Sequence, residues 1–333
     1  MSAPLLELRA VSKQFGNSPD FASSLAQRLG ISTPQRVVHA VDGVDLCVYK
    51  GEVVGLVGES GCGKSTLGRI AVGLHTASQG EKFWGGTNVA GMDERGRRAM
   101  QLEGQMIFQD PYASLNPRFR VEDIIGEAPQ VHGLIGREDK PGYVADLMQR
   151  VGLDAALARR FPHQFSGGQR ARIGIARALA VKPGFLVCDE AVAALDVSIQ
   201  AQVLNLFIRL KDELDLTYLF ISHDLGVVRH MSDRVVVMYL GRVVESAPAE
   251  DLFRAPNHPY TRALLAELPS LDIRKRNFVA IKGEIPSPLN PPSGCHFHPR
   301  CPQAMACCRE ERPALVSIAA GRISACHLNS VSG

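Results

Sequence analysis

The sequence lacks any long apolar run. Its longest, such as RVVVMYLG at 234–241, have the length of a strand and fall far short of the roughly 18 residues that a membrane helix needs. The opening residues, MSAPLLELRAVSK, lack the basic stretch and following apolar segment of a secretory leader. A soluble, cytosolic chain is therefore expected. Charge bias is also missing: 37 Lys and Arg face 34 Asp and Glu, a net +3 that gives no field to recruit nucleic acid, so none is expected as a partner. Internal repeats and low-complexity tracts are absent as well. What is present is apolar content of 45% over 333 residues, enough for a full core in one large α/β domain with an appendage. Cysteine is not scarce. Of eight, five fall in the tail, at 295, 301, 307, 308 and 326. In a reducing compartment such a cluster suggests metal ligands or reactive thiols before disulfides.

Short apolar runs alternate with helical spacing. VVGLVG (Val53–Gly58), FLVCDE (Phe185–Glu190) and YLFISHD (Tyr218–Asp224) read as buried strands that end in glycine or polar residues. KSTLGRIAVGL follows the first of them as a helix. VSIQAQVLNLFIRLKDEL puts Ile199, Val203, Leu206, Phe207 and Leu210 on one helical face. Strand, helix and strand in alternation predict an α/β fold with a parallel sheet, and a ligand site at the strands' carboxyl ends. Residues 110–165 carry Pro111, Pro117, Pro129 and Pro141 and no clear strand, which predicts a mainly helical insertion. A polar loop is expected over 17–36 within the first hairpin. The proline-rich chain after Pro248 contains a linker or turn segment at Pro286–Gly294. Cys47, Cys62 and Cys188 read as packing residues.

The run Gly58, Glu59, Ser60, Gly61, Cys62, Gly63, Lys64, Ser65, Thr66 fits the phosphate-loop pattern G-x-x-x-x-G-K-[ST]. Its small residues let the backbone curl so that successive N–H groups point at phosphate oxygens, and the next helix presents its positive end to the same anion. Lys64 supplies charge to the β- and γ-phosphates, and Ser65 a hydroxyl to Mg²⁺. Asp189 ends an apolar strand where it can hold the Mg²⁺ shell. Glu190, pointing elsewhere, suits a residue that polarises attacking water. A second anion-ready helix start follows at Ser166, Gly167, Gly168 and Gln169. One nucleotide needs only one phosphate loop, so this second start predicts a head-to-tail dimer in which it serves the partner's nucleotide.

With these motifs in order, residues 5–250 resemble the ATP-binding cassette (ABC) ATPases, with ATP and Mg²⁺ as the implied ligands. The resemblance implies a P-loop NTPase cassette: a RecA-like parallel-sheet core, an antiparallel β region and a helical subdomain at about 110–180. By the same resemblance Gln109 reaches the metal together with Ser65 and Asp189, Leu195 and Asp196 look like the D-loop, His223 is the switch histidine and Phe15 stacks on adenine. Glu190 and His223 are then the catalytic pair. Ala191 and Ala194 stand where the family usually has proline and serine, which bears on rate and coupling but leaves Asp189, Glu190 and Asp196 intact.

FQDPYASLNPR, FPHQFSGGQR, HPYTRALLAELP and GEIPSPLNPPSGCHFHPRCP further resemble the oligopeptide and dipeptide importer branch, above all its dipeptide-type second ATPase subunit. The implied division is a cassette over 1–250 and a small Cys-rich extension over 251–333. The implied partners are a second, homologous ATPase subunit, two transmembrane permeases and an extracytoplasmic peptide-binding protein, with this chain peripheral on the cytoplasmic face of the membrane. Tyr112–Arg118 is expected to face a permease. Nickel and glutathione importers share the branch. A degenerate, non-hydrolysing partner subunit and a soluble cassette of repair or translation type are the other readings. Cys295, Cys301, Cys308 and Cys326 match the branch's tail pattern, which resembles a [4Fe–4S] site. Four thiolates equally suit Zn²⁺. Cys307 is spare, and His296, His298 and His327 are flanking groups.

Overall fold

The computed structural model describes residues 3–16, 37–110, 112–267 and 283–330. The expected loop at 17–36, Pro111 and the end of the HPYTRALLAELP stretch lie outside the described residues. The chain opens with β1 (Leu6–Gly16) and β2 (Val37–Val48), an antiparallel pair, followed by β3 (Val53–Val57) and helix α1 (Lys64–Ala71). β4 (Gln79–Trp84) and β5 (Thr87–Asn88) complete a four-stranded antiparallel sheet of order β2-β1-β4-β5. Helix α2 (Glu94–Glu103) then leads into β6 (Gly104–Ile107).

The insertion before the next strand is helical, as its proline punctuation predicted. It contains α3 (Val121–Val131) and α4 (Lys140–Arg150), and α5 (Gly167–Leu179) follows it. Val121, Ile124 and Ile125 pack with Val144, Leu147 and Met148 in one apolar cluster shared with the main sheet. Gly126 lets α3 and α4 approach closely, since a Cβ there would lie 2.6 Å from the Lys140 side chain.

The chain returns through β7 (Phe185–Asp189), α6 (Val197–Leu214), β8 (Thr217–Ile221), α7 (Leu225–Met231), β9 (Arg234–Tyr239) and β10 (Arg242–Pro248). α6 buries Val203, Leu206, Phe207 and Leu210 of the stripe its 3.6-residue spacing predicted, while Ile199 is half-buried at its start. Every residue of β3, β7 and β8 is buried. Strands covered on both faces read as continuous apolar runs, and these do. Helices α8 (Ala249–Arg254), α9 (Pro259–Ala266) and α10 (Cys307–Glu310) and the hairpin β11 (Val316–Ala319) and β12 (Arg322–Ser324) form the tail.

The large sheet has the order β11-β12-β10-β9-β3-β8-β7-β6. From β9 to β6 the pairs are parallel. β10 and the tail hairpin are antiparallel additions at one edge. The tail therefore continues the central sheet. The carboxyl ends of β3, β6, β7 and β8 lead directly into Gly58, Gln109, Glu190 and His223, which is where open parallel sheets bind ligands.

Candidate functional site

Two glycines shape the loop between β3 and α1. Gly63 has φ 101°, and a Cβ there would strike the Ala40 carbonyl; one at Gly58 would strike the Met238 carbonyl. Only glycine allows both the backbone conformation and the close approach. Lys64 is 5% exposed and curls back, donating to the carbonyls of Gly58 (2.7 Å) and Glu59 (2.9 Å) and contacting the Cys62 sulfur at 3.7 Å. No carboxylate among the described residues forms an ion pair with it. A buried ammonium held by neutral acceptors inside an N–H-rich loop is a fitting cradle for an anion.

Ser65 starts α1 and donates its hydroxyl to Asp189 Oδ1 at 2.8 Å. Asp189 is 2% exposed. Burial raises its carboxyl above the usual range, and the Ser65 hydrogen bond opposes that rise. Two oxygens this close can share one hard cation, so the pair fits Mg²⁺.

Glu190 follows Asp189 with φ 49°, a left-handed conformation costly for a residue with a side chain. Its amide is fixed to the Ile221 carbonyl at 3.0 Å. The twist turns its carboxylate toward two other strand ends. Gln109 donates Nε2 to Glu190 Oε2 at 2.6 Å, and His223 Nδ1 lies 3.4 Å from the same oxygen. Two expected residues, 81 and 33 positions from the glutamate, thus meet one of its oxygens. The glutamate is mostly covered, whereas His223 is 59% exposed and free to turn. Ala191 is packed in the core beside this turn and Ala194 is exposed.

Ser166, Gly167, Gly168 and Gln169 form a complete capping box. Ser166 Oγ accepts from the Gln169 amide (3.3 Å), and Gln169 Oε1 accepts from the Ser166 amide (3.0 Å). The turn packs on the start of α6, where a Cβ on Gly168 would lie 2.5 Å from Ile199 Cγ2. Asp196 is the exposed residue preceding α6. Phe15, 39% exposed on β1, meets His75 edge-on at 5.6 Å, with the Lys13 ammonium 5.2 Å from its ring.

Two arginines of α5 were missed by sequence reading. Arg170, 7% exposed, stacks on the Tyr112 ring at 3.5 Å, bonds the Tyr112 hydroxyl and donates to the Pro162 carbonyl at 3.2 Å. Arg177 donates to the Ser114 carbonyl. They pin the stretch after Gln109 to the helix begun by Ser166. Also missed was a bond set joining Glu59 to Tyr260 and Arg300. Its partners lie more than 200 residues apart, and no local signal announces it.

The tail differs from expectation. Cys295, Cys301, Cys308 and Cys326 are free thiols, and among the described residues no group of three or more His, Cys, Asp or Glu converges to hold a metal ion. A preformed zinc-type site at these four is thus not found. Burial pushes the Cys295 thiol up to about 11 and also raises Cys301 and Cys326. The flanking histidines are engaged: His296 Nδ1 with the Leu240 carbonyl (3.0 Å), His298 Nδ1 with the Cys295 carbonyl (2.9 Å) and His327 Nε2 with the Glu311 carbonyl (3.0 Å). The four sulfurs nevertheless share one neighbourhood, since Cys295 feels the fields of Cys308, Cys326 and Cys301. Cys62 and Cys188 are buried, as expected of packing residues, while Cys47 is half-buried on β2.

Comparison with known proteins supplies the family. Residues 41–193 match the ABC transporter family and 244–308 the oligopeptide/dipeptide transporter C-terminal region. The oligopeptide transport ATP-binding protein AppF of Bacillus subtilis is 48% identical over 98% of both chains. The putative oligopeptide transport ATP-binding protein YkfD of the same species is 52% identical over 88% of this chain and 91% of its own. The dipeptide transport ATP-binding protein DppF of Haemophilus influenzae is 45% identical over 89% of this chain and 91% of its own. Among solved structures, the cassette MJ0796 bound to ADP and Pi is similar in fold, with a TM-score of 0.61 and 24% identity over 73% of this chain and 98% of that one. The chain belongs to the ABC transporter ATPases, in the branch defined by the oligopeptide/dipeptide transporter C-terminal region.

Proposed function

We propose that this chain is the ATP-hydrolysing subunit of a membrane importer for dipeptides and oligopeptides. The observation that carries the reading is the meeting of Gln109 and His223 on one oxygen of Glu190, beside the Ser65–Asp189 pair. The loop from Gly58 to Thr66 holds the phosphates, with Lys64 exchanging its carbonyl partners for phosphate oxygens. Ser65, Asp189 and Gln109 hold Mg²⁺, which when bound neutralises phosphate charge. Glu190 positions and polarises the attacking water, and exposed His223 turns toward the γ-phosphate end. Phe15 offers its exposed face to adenine. Ser166–Gln169 and Asp196 face the nucleotide of a second, homologous subunit, so that binding closes the pair and hydrolysis reopens it.

The names of the relatives, oligopeptide and dipeptide transport ATP-binding proteins, support peptide cargo. Two permeases, an extracytoplasmic binding protein and a peripheral place at the cytoplasmic membrane face complete the proposed machine. No helix of the described residues is long and apolar enough to cross a membrane. Tyr112, 62% exposed and braced by Arg170, suits the permease-facing role. We divide the chain into a cassette to residue 250 and a tail beyond it, with the helical subdomain at about 110–180. Glu190→Gln in the reconstituted transporter is the test. ATP binding should persist while turnover falls at least about a hundredfold. Undiminished ATPase refutes the assignment.

For the tail we propose a [4Fe–4S] cluster on Cys295, Cys301, Cys308 and Cys326. The support is their spacing and shared neighbourhood. A four-iron cluster takes its thiolates around the outside and needs no convergence on one point, unlike a single zinc ion. Iron and sulfide analysis after anaerobic purification tests this; an iron-free, colourless protein overturns it.

A further inference from the structure

Glu59, the second residue of the phosphate loop, is held from the tail on two sides. Its amide donates to the Tyr260 hydroxyl at 2.9 Å. Its carboxylate receives both arms of the Arg300 guanidinium, Nη1 at 2.7 Å and Nη2 at 2.9 Å. Its carbonyl accepts from Lys64. The Arg300 side chain is 5% exposed and its Nη1 also reaches the Tyr239 hydroxyl at 3.3 Å. Around it, Tyr239, Tyr260 and Phe297 form a three-ring cluster with centroids 4.7–5.3 Å apart. The arrangement is largely buried and ties the tail's Arg300, Tyr260 and Phe297 to the cassette's Glu59 and Tyr239.

We propose that Arg300 is a positioning residue for nucleotide binding, acting through Glu59 on the phosphate loop. Two effects follow from its placement. The fork and the Tyr260 hydroxyl fix the backbone at Glu59 before nucleotide arrives, so the loop's N–H groups do not have to be ordered by the ligand. The guanidinium also cancels a carboxylate that sits in the same loop as the phosphates. Left unpaired, that negative charge would repel a triphosphate in a partly buried setting where screening is weak. The tail thereby sets the cassette's nucleotide affinity, while Glu190 and His223, which do not touch Arg300 among the described contacts, set the chemical step. This inference rests on the phosphate-loop reading of Gly58–Thr66.

The test is a charge-removal cycle on the full chain, read by titration with a fluorescent ATP analogue and, in the assembled transporter, by KM and kcat for ATP. Arg300→Gln should weaken nucleotide binding and raise KM about tenfold with kcat within about twofold. Glu59→Gln, which removes the repelling charge, should cost less. The double variant should bind better than Arg300→Gln alone, and Arg300→Lys should recover part of the loss. Unchanged affinity in Arg300→Gln, a double variant no better than that single, or kcat falling in step with KM would each overturn the proposal. Should Arg300→Gln not fold, Arg300→Met with and without Glu59→Gln removes the same charge while keeping the apolar stem, and gives the same comparison. Lys64→Ala separates the two readings. If it leaves binding intact, the phosphate loop is misassigned. If it abolishes binding while Arg300→Gln has no effect, only the positioning role fails.

Discussion

Acid should loosen the tail before it touches the rest of the protein. His258 is 1% exposed and caps α9 by accepting from the Tyr260 amide at 3.1 Å. His296 is 5% exposed and donates Nδ1–H to the Leu240 carbonyl. Burial holds both imidazoles down at about 4, with Arg262 adding to the effect at His258 and Arg242 at His296. In the unfolded chain both titrate near 6.5. Between those values the unfolded state binds protons that the folded state refuses. Stability is therefore full above pH 6.5 and is lost as pH falls toward 4. Each histidine accounts for about 3 kcal/mol over that window, and the pair for a slope of roughly 2.7 kcal/mol per pH unit where both titrate. Against a typical total of about 5–15 kcal/mol that loss is decisive. Asp189 acts in the opposite sense, because burial raises its carboxyl and it takes up its proton while folded. Urea unfolding at pH 7, 6 and 5 measures the slope. His258→Asn keeps an N-cap acceptor without the titration, and with His296→Gln it should remove most of the pH dependence. An equally steep slope in that double variant would refute the reasoning.

Three further outcomes are expected. Gly63→Ala forces a side chain into φ 101° against the Ala40 carbonyl; strain of about 1–3 kcal/mol before the clash should lower the melting temperature and abolish nucleotide binding in the same titration. Ser166→Ala removes one half of the capping box, about 1 kcal/mol by urea unfolding, and Ser166→Thr should restore it. Arg170→Lys keeps the charge but loses the fit to Tyr112 and Pro162; hydrogen exchange over 112–118 should quicken, with about 1 kcal/mol lost locally.

Legibility followed the range of the interaction. The phosphate loop was readable because Gly58, Gly63 and Lys64 do their work within seven residues, and the fully buried strands because their apolar runs are continuous. The order of β10 and the tail hairpin in the large sheet was not readable, since antiparallel edge strands add to a parallel core without a crossover helix to announce them. Gln109, Glu190 and His223 could be named in advance from family resemblance. Their meeting on one oxygen depends on the left-handed twist at Glu190, which spacing does not encode. The tail shows the converse. The positions of Cys295, Cys301, Cys308 and Cys326 match a family pattern, yet spacing alone does not distinguish a single metal ion from a cluster. The Glu59–Arg300 fork spans 241 positions and is built by the sheet that places the tail beside the loop.

The tail hairpin also guards a margin. β12 pairs with β10 at Glu245↔Ser324 and Ser246↔Ile323. A chain cut at the nominal cassette boundary near residue 250 would strip that cover and bare the ladder groups of β10, a strand whose Val243, Val244 and Ala247 are buried. Uncovered strands recruit other strands. Cassette-only fragments of this protein are therefore prone to pair with one another through β10, and a preparation that oligomerises without its tail would be reporting a missing neighbour, not a native assembly.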